Sequence, residues 1–125
     1  MDNAKTLKTA RDILLQIHKI LMDMERELHE GIHGPVNPSQ FLSLLLQDED
    51  LAWLRRFSGL VAEIDELLLG KEGYSEETAE MVLERVKGIA QMTETDEYFL
   101  AKYQYALQRD PNSAILHGQL RNLLK

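Results

Sequence analysis

The sequence contains no cysteine, which excludes disulfide scaffolds, thiol nucleophiles and thiolate metal sites outright. Aromatic residues are few, and the single tryptophan, Trp53, is the one very large anchor available to a core. There are only three prolines, Pro35, Pro38 and Pro111, each placed where a helix can begin or the chain can turn. No uninterrupted apolar run is long enough for a membrane span. A Gly-rich phosphate loop and a nucleophile elbow are absent too. No window alternates apolar and polar residues as a strand requires, so the expected class is all-α. Lys5, Lys8 and Arg11 ahead of ILLQIHKILM have the outline of a signal peptide, but Gln16, His18 and Lys19 break the apolar region and no small-residue cleavage site follows. A cytoplasmic setting, without a membrane partner, is therefore expected.

What is present is charge, unevenly spread. The 125 residues carry a net charge of −7 and form one domain by the usual size prior. Residues 48–97 hold fourteen acidic and five basic side chains, while residues 98–125 hold one acidic and four basic. An acidic body repels phosphate backbones, so nucleic acid is disfavoured as a partner, with the basic C-terminal segment as the single opening. No cofactor signature is present.

The chain is organised around residues 41–70, FLSLLLQDEDLAWLRRFSGLVAEIDELLLG. Trp53, Phe57, Leu60, Ile64 and Leu67 step by 4, 3, 4 and 3, which predicts one wide apolar helical stripe. Asp48, Glu49 and Asp50 supply an N-terminal cap and negative charge, and Gly70 the expected left-handed end. Asn37-Pro38 reads as cap and first position of a short helix that must dock on its neighbours to be stable. Upstream, Leu7, Ala10, Leu14, Ile17, Leu21, Met24 and Leu28 keep a seven-residue pattern, predicting a helix over 4–30 ended by Gly31, Gly34 and Pro35. That helix, about 40 Å long against about 30 Å for the central one, needs something to cover its excess. After a turn over 71–74, Ser75 caps a helix bearing Ala79, Val82, Leu83, Val86, Ile89 and Ala90. Residues 93–96 punctuate, and Asp96 and Asp110-Pro111 open two more helices, the last striped by Ile115, Leu116, Leu120, Leu123 and Leu124. The predicted architecture is a single-domain bundle of five or six helices over 1–125, centred on Trp53, Phe57, Leu60, Ile64, Leu14, Ile17 and Leu21.

One motif carries chemistry. His29-Glu30-Gly31-Ile32-His33 fits H-E-x-x-H, in which two histidines one turn apart bind zinc and the glutamate serves as base. Against it stand Gly31 inside the motif, Gly34-Pro35 just after it and the lack of an evident third ligand, so surface polar residues at a fraying helix end are the expectation. Glu30 and His33 also match the E-x-x-H of di-iron bundles, which needs a second such pair that the chain does not have. His18 borders the apolar stripe and is expected to bond a carboxylate or carbonyl. Glu63, Asp65 and Glu66 cluster near the end of the central helix without a sign of a cleft. Tyr98, Phe99, Tyr103 and Tyr105 read as core and rim aromatics.

Two resemblances can be stated. Ala106, Leu107, Asp110, Pro111 and Ala114 resemble the hinge between tetratricopeptide repeats, but no period near 34 residues extends it. The segments HKILMDMER (18–26), HGPVNPSQFLSLLLQDEDLAWLR (33–55), LVAEIDELL (60–68) and YALQRDPNSAILH (105–117) are similar to a family of small uncharacterised bacterial proteins. That similarity implies a helical domain in bacteria and supplies no catalytic residues. The functional expectation is a non-enzymatic protein-interaction module, with a protein partner or self-association as a homodimer. The alternatives are a metal-dependent hydrolase using His29, Glu30 and His33, and a bundle that binds or senses a small apolar ligand, whose sign would be a cavity beside Trp53.

Overall fold

A computed structural model describes residues 2–70, 75–93 and 96–125. The turns expected at 71–74 and, in part, at 93–96 fall on residues outside that set. The described residues form six α-helices and one 3-10 segment, with no strand: α1 (Asn3–His33), α2 (Pro38–Gln47), the 3-10 segment (Glu49–Leu54), α3 (Arg55–Leu69), α4 (Glu76–Ala90), α5 (Glu97–Arg109) and α6 (Pro111–Leu123). No helix among them is long and apolar enough to cross a membrane.

The start signals at Asn37, Ser75, Asp96 and Asp110 act as expected, because an N-cap is a local bond between a short polar side chain and an orphan N–H. Asp2 accepts from the amides of Ala4 and Lys5. Asn37 and Gln40 close a reciprocal capping box ahead of α2. Ser75, Asp96 and Asp110 accept from Thr78, Phe99 and Ser113. The stop signals fare worse. Gly31 does not end α1, which runs one turn further and closes at Gly34 with φ +88°. Gly70 leaves α3 as extended chain (φ −63°, ψ 135°), not as a left-handed cap.

The central segment also departs from the expected single helix. Asp48 caps a 3-10 segment that carries Trp53, and α3 starts only at Arg55. With three residues per turn, 3-10 winding places residues three apart on one face. Leu51 and Leu54 are buried together in this way, with Trp53 buried beside them.

The core is the one the stripes predicted. Leu7, Ala10, Leu14, Ile17 and Leu21 of α1 meet Phe57, Leu60 and Ile64 of α3, with Val82, Val86 and Ile89 of α4 closing one side. Each fully buried leucine or isoleucine contributes about 1.5–3 kcal/mol of transfer free energy. An aromatic line runs through the centre. Phe57, Phe99 and Tyr103 lie with ring centroids 5.2 to 5.8 Å apart, Trp53 packs edge-on to Phe99 at 6.0 Å, and Tyr103 meets His117 at 5.3 Å. α6 is rotated from its expected phase: Ser113, His117, Leu120 and Leu124 are buried, whereas Ile115 is exposed.

The consequence for any site lies in the mismatch of lengths. α1 has 31 residues, about 46 Å at 1.5 Å per residue, against 15 residues for each of α3 and α4. Leu21 is its last buried apolar residue. The remaining turns project beyond the main core, with the loop to α2 folded against one side.

Candidate functional site

The projecting end of α1 places the histidine motif. Because the helix continues through Gly31, His29 and His33 stand one turn apart on the same edge, with ring centroids 4.6 Å apart and planes tilted by 38°. The glutamate between them is committed elsewhere. Glu30 accepts the backbone N–H of Val36 at 2.9 Å and lies 3.7 Å from Arg26. Arg26 in turn donates to the Val36 carbonyl at 2.7 Å and stacks over Phe41. Glu30 and Arg26 thus form a clasp that folds the 34–37 loop back along α1 and seats α2. Catalytic zinc is ordinarily held by three protein ligands, and no group of three His, Asp or Glu side chains is arranged around a common point among the described residues. The motif residues provide two adjacent imidazoles and a structural carboxylate.

The other two histidines are in different surroundings. His117 is buried and its Nδ1 lies 2.8 Å from the Tyr103 hydroxyl. Burial raises the Tyr103 pKa, and burial followed by the charge of Arg121 lowers that of His117. Both directions keep the tyrosine and the imidazole neutral, so the contact is a hydrogen bond between two uncharged groups. The signal for this contact was available: 113, 117, 120 and 124 step by 4, 3 and 4. A stripe traced through leucines alone passes over it. His18, expected to bond a carboxylate or carbonyl, has no hydrogen bond among the described residues. It is half-buried, and desolvation lowers its pKa.

Glu25 is buried and pairs with Lys102 of α5 at 2.7 Å. The same ammonium lies 5.9 Å from the centroid of the Trp53 ring, whose indole N–H is buried without a hydrogen bond among the described residues. Beside it, Tyr98 donates to the Asp50 carbonyl at 2.9 Å. No local pattern reports a pair 77 positions apart, so this cluster could not be read from the chain. The acidic cluster of the central helix is likewise structural: Glu63 pairs with Arg85 and Asp65 with Arg11. At the start of α5, Asp96 is held ionised below the usual carboxylate range by the Phe99 N–H and then by Arg56.

Three surface features stay open. On the face of α1 that continues the buried line of Leu14, Leu21 and Glu25, Leu28 is 44% and Ile32 77% exposed. Separately, a cleft of about 500 Å³ lies where α1, α2, the 3-10 segment and α3 meet. Its walls include Met22, Leu42, Leu45, Leu46, Leu51 and Leu54, and its polar groups come from His18, Arg55 and Ser58. It adjoins the residues flanking Trp53, although Trp53 itself is not in its wall. A second depression, about 400 Å³ between α4 and the end of α6, is edged by Glu77, Glu80, Glu84 and Lys87. Compared with family models, curated proteins and solved structures, the chain finds no match in any of the three.

Proposed function

We propose that this chain is a non-enzymatic interaction module, acting in the cytoplasm through the projecting end of α1, and that its first partner is a second copy of itself. The observation that carries the reading is the exposure of Leu28 and Ile32 on the line that is buried everywhere nearer the N-terminus. Helical stripes of this kind are kept for packing, and a stripe that outruns its own bundle is complementary to another of its kind. A two-fold pairing lets each copy's Leu28 and Ile32 cover the other's, with the surrounding polar residues at the rim. The acidic middle of the chain disfavours a nucleic-acid partner, and a bound membrane is not required.

The test is a native mass spectrum of the untagged protein with sedimentation velocity across concentration. The expected outcome is a dimer that weakens at least tenfold in a Leu28→Glu, Ile32→Glu variant while the helical circular dichroism is retained. A strictly monomeric species at high concentration removes self-association. Stoichiometric zinc that disappears in a His29→Ala, His33→Ala variant would instead carry the metal-dependent hydrolase, whose motif the extended helix leaves on one edge.

A further inference from the structure

We infer that the cleft between α1, α2, the 3-10 segment and α3 is a binding site for a small amphiphile with one anionic head, a medium-chain aliphatic carboxylate. Its volume, about 500 Å³, falls within the usual range for small-molecule sites, roughly 300–1,000 Å³. The apolar wall side chains come from three elements, α1, α2 and the 3-10 segment, and α3 adds Arg55, Ser58 and Gly59. Leu42 and Leu46, one turn apart on α2, stay 56% and 65% exposed at its mouth. A helix with only Phe41 buried leaves most of its apolar surface for whatever fills the cleft.

The polar groups define the head. Among the described residues no carboxylate lines the cleft, in a chain with net charge −7. Arg55 places one guanidinium nitrogen, Nη2, on the Leu45 and Leu46 carbonyls at 3.2 and 2.7 Å, which fixes its plane against the end of α2. Its Nε and Nη1 make no hydrogen bond among the described residues. The same holds for the His18 imidazole and the Ser58 hydroxyl. In contrast, Arg11, Arg26, Arg56 and Arg85 each face a carboxylate of the chain. A fixed guanidinium with free donors beside an aliphatic cavity is complementary to a carboxylate head with an alkyl tail. A cation would meet Arg55 with like charge, and an uncharged alcohol would leave those donors unanswered.

Gly59 makes the inference testable without damage to the fold. It lines the cleft from the middle of α3, and a Cβ built there meets no heavy atom within 4 Å. Gly59 also borders the neighbouring depression of Arg56, Glu63 and Arg85, so a larger side chain at 59 stands on the rim of the cleft without a clash and also removes the helix-weakening glycine. Isothermal titration uses the full chain with sodium decanoate below its micelle concentration, and with decanol and decyltrimethylammonium as tail-matched probes. The expected result is saturable one-to-one binding of decanoate, weaker binding of decanol and none of the ammonium compound. Arg55→Gln should weaken decanoate roughly tenfold or more, as for loss of a charge-assisted hydrogen bond, with the decanol affinity held. Gly59→Leu, which crowds the rim, should weaken binding with a melting midpoint at or above that of the parent. Absence of saturable decanoate binding overturns the inference, as does equal binding of the ammonium compound or undiminished decanoate binding in Arg55→Gln. Because Leu28 and Ile32 lie outside this cleft, the dimer and the ligand site stand or fall independently.

Discussion

The two ends of α1 share one sequence pattern and meet opposite fates. From Leu7 to Leu21 the apolar line is fully buried against α3, α4 and α6. From Leu28 to Ile32 the same line faces outward, because α3 and α4 are each about half as long as α1. Between them sits Glu25, on the buried line but charged, answered by Lys102 from the other side of the molecule. Periodicity therefore reports which face of a helix is apolar, while the length of the neighbours decides how much of that face is covered.

The comparison can be broken most severely at the core. Trp53→Ala is expected to cost about 3–5 kcal/mol and Leu14→Ala about 2–5 kcal/mol, as truncations of buried side chains do. Leu28→Ala, on the same helical line, should cost less than about 1 kcal/mol in a dilute, monomeric sample. Urea melts of the three variants decide it, and equal losses at Leu14 and Leu28 would show that the projecting end is covered after all.

An intermediate effect is expected where the line changes from apolar to charged. Glu25→Ala leaves the Lys102 ammonium without its carboxylate and should cost about 1.5–3 kcal/mol, the scale of a hydrogen bond to a charged group. Glu25→Leu combined with Lys102→Met should recover most of that loss, since an apolar pair of similar shape needs no ionic partner. A double variant no better than Glu25→Ala would mean that Glu25 is held by something other than Lys102.

The smallest effect is a dependence on pH. His18 and His117 both have folded pKa values lowered by burial. Such a group binds fewer protons folded than unfolded. Stability is then complete above the ordinary histidine value near 6.5 and falls as pH drops through that value towards the lowered folded ones. Melts between pH 7.5 and 5.5 should show this decline, and Tyr103→Phe with His117→Leu should make it shallower by removing the His117 share. A pH response unchanged in that variant would place the titration elsewhere.

Much of the fold was legible because helix starts and apolar phase are local properties. Asn37-Pro38, Ser75, Asp96 and Asp110-Pro111 all start helices as expected. Stops were less legible. Gly31 was passed over where the Glu30 and Arg26 clasp holds the following loop against the helix, and Gly34 ended it instead. Trp53 was placed on a long α-helix, although the tighter 3-10 winding is what buries Leu51 and Leu54 together. The histidine motif was visible as a string, but the engagement of its glutamate by Val36 was not.

The sequence by itself determined the class, a bundle of five or six helices, the starting points of most of them and the inward side of α1, α3 and α4, because capping bonds and side-chain periodicity act within a turn or two. Only the tertiary structure decided where α1 outruns its neighbours, which carboxylates meet which arginines, and that His18, Arg55 and Ser58 border one aliphatic cleft. Those outcomes depend on the relative lengths and crossings of helices distant in the chain, and no local pattern encodes them.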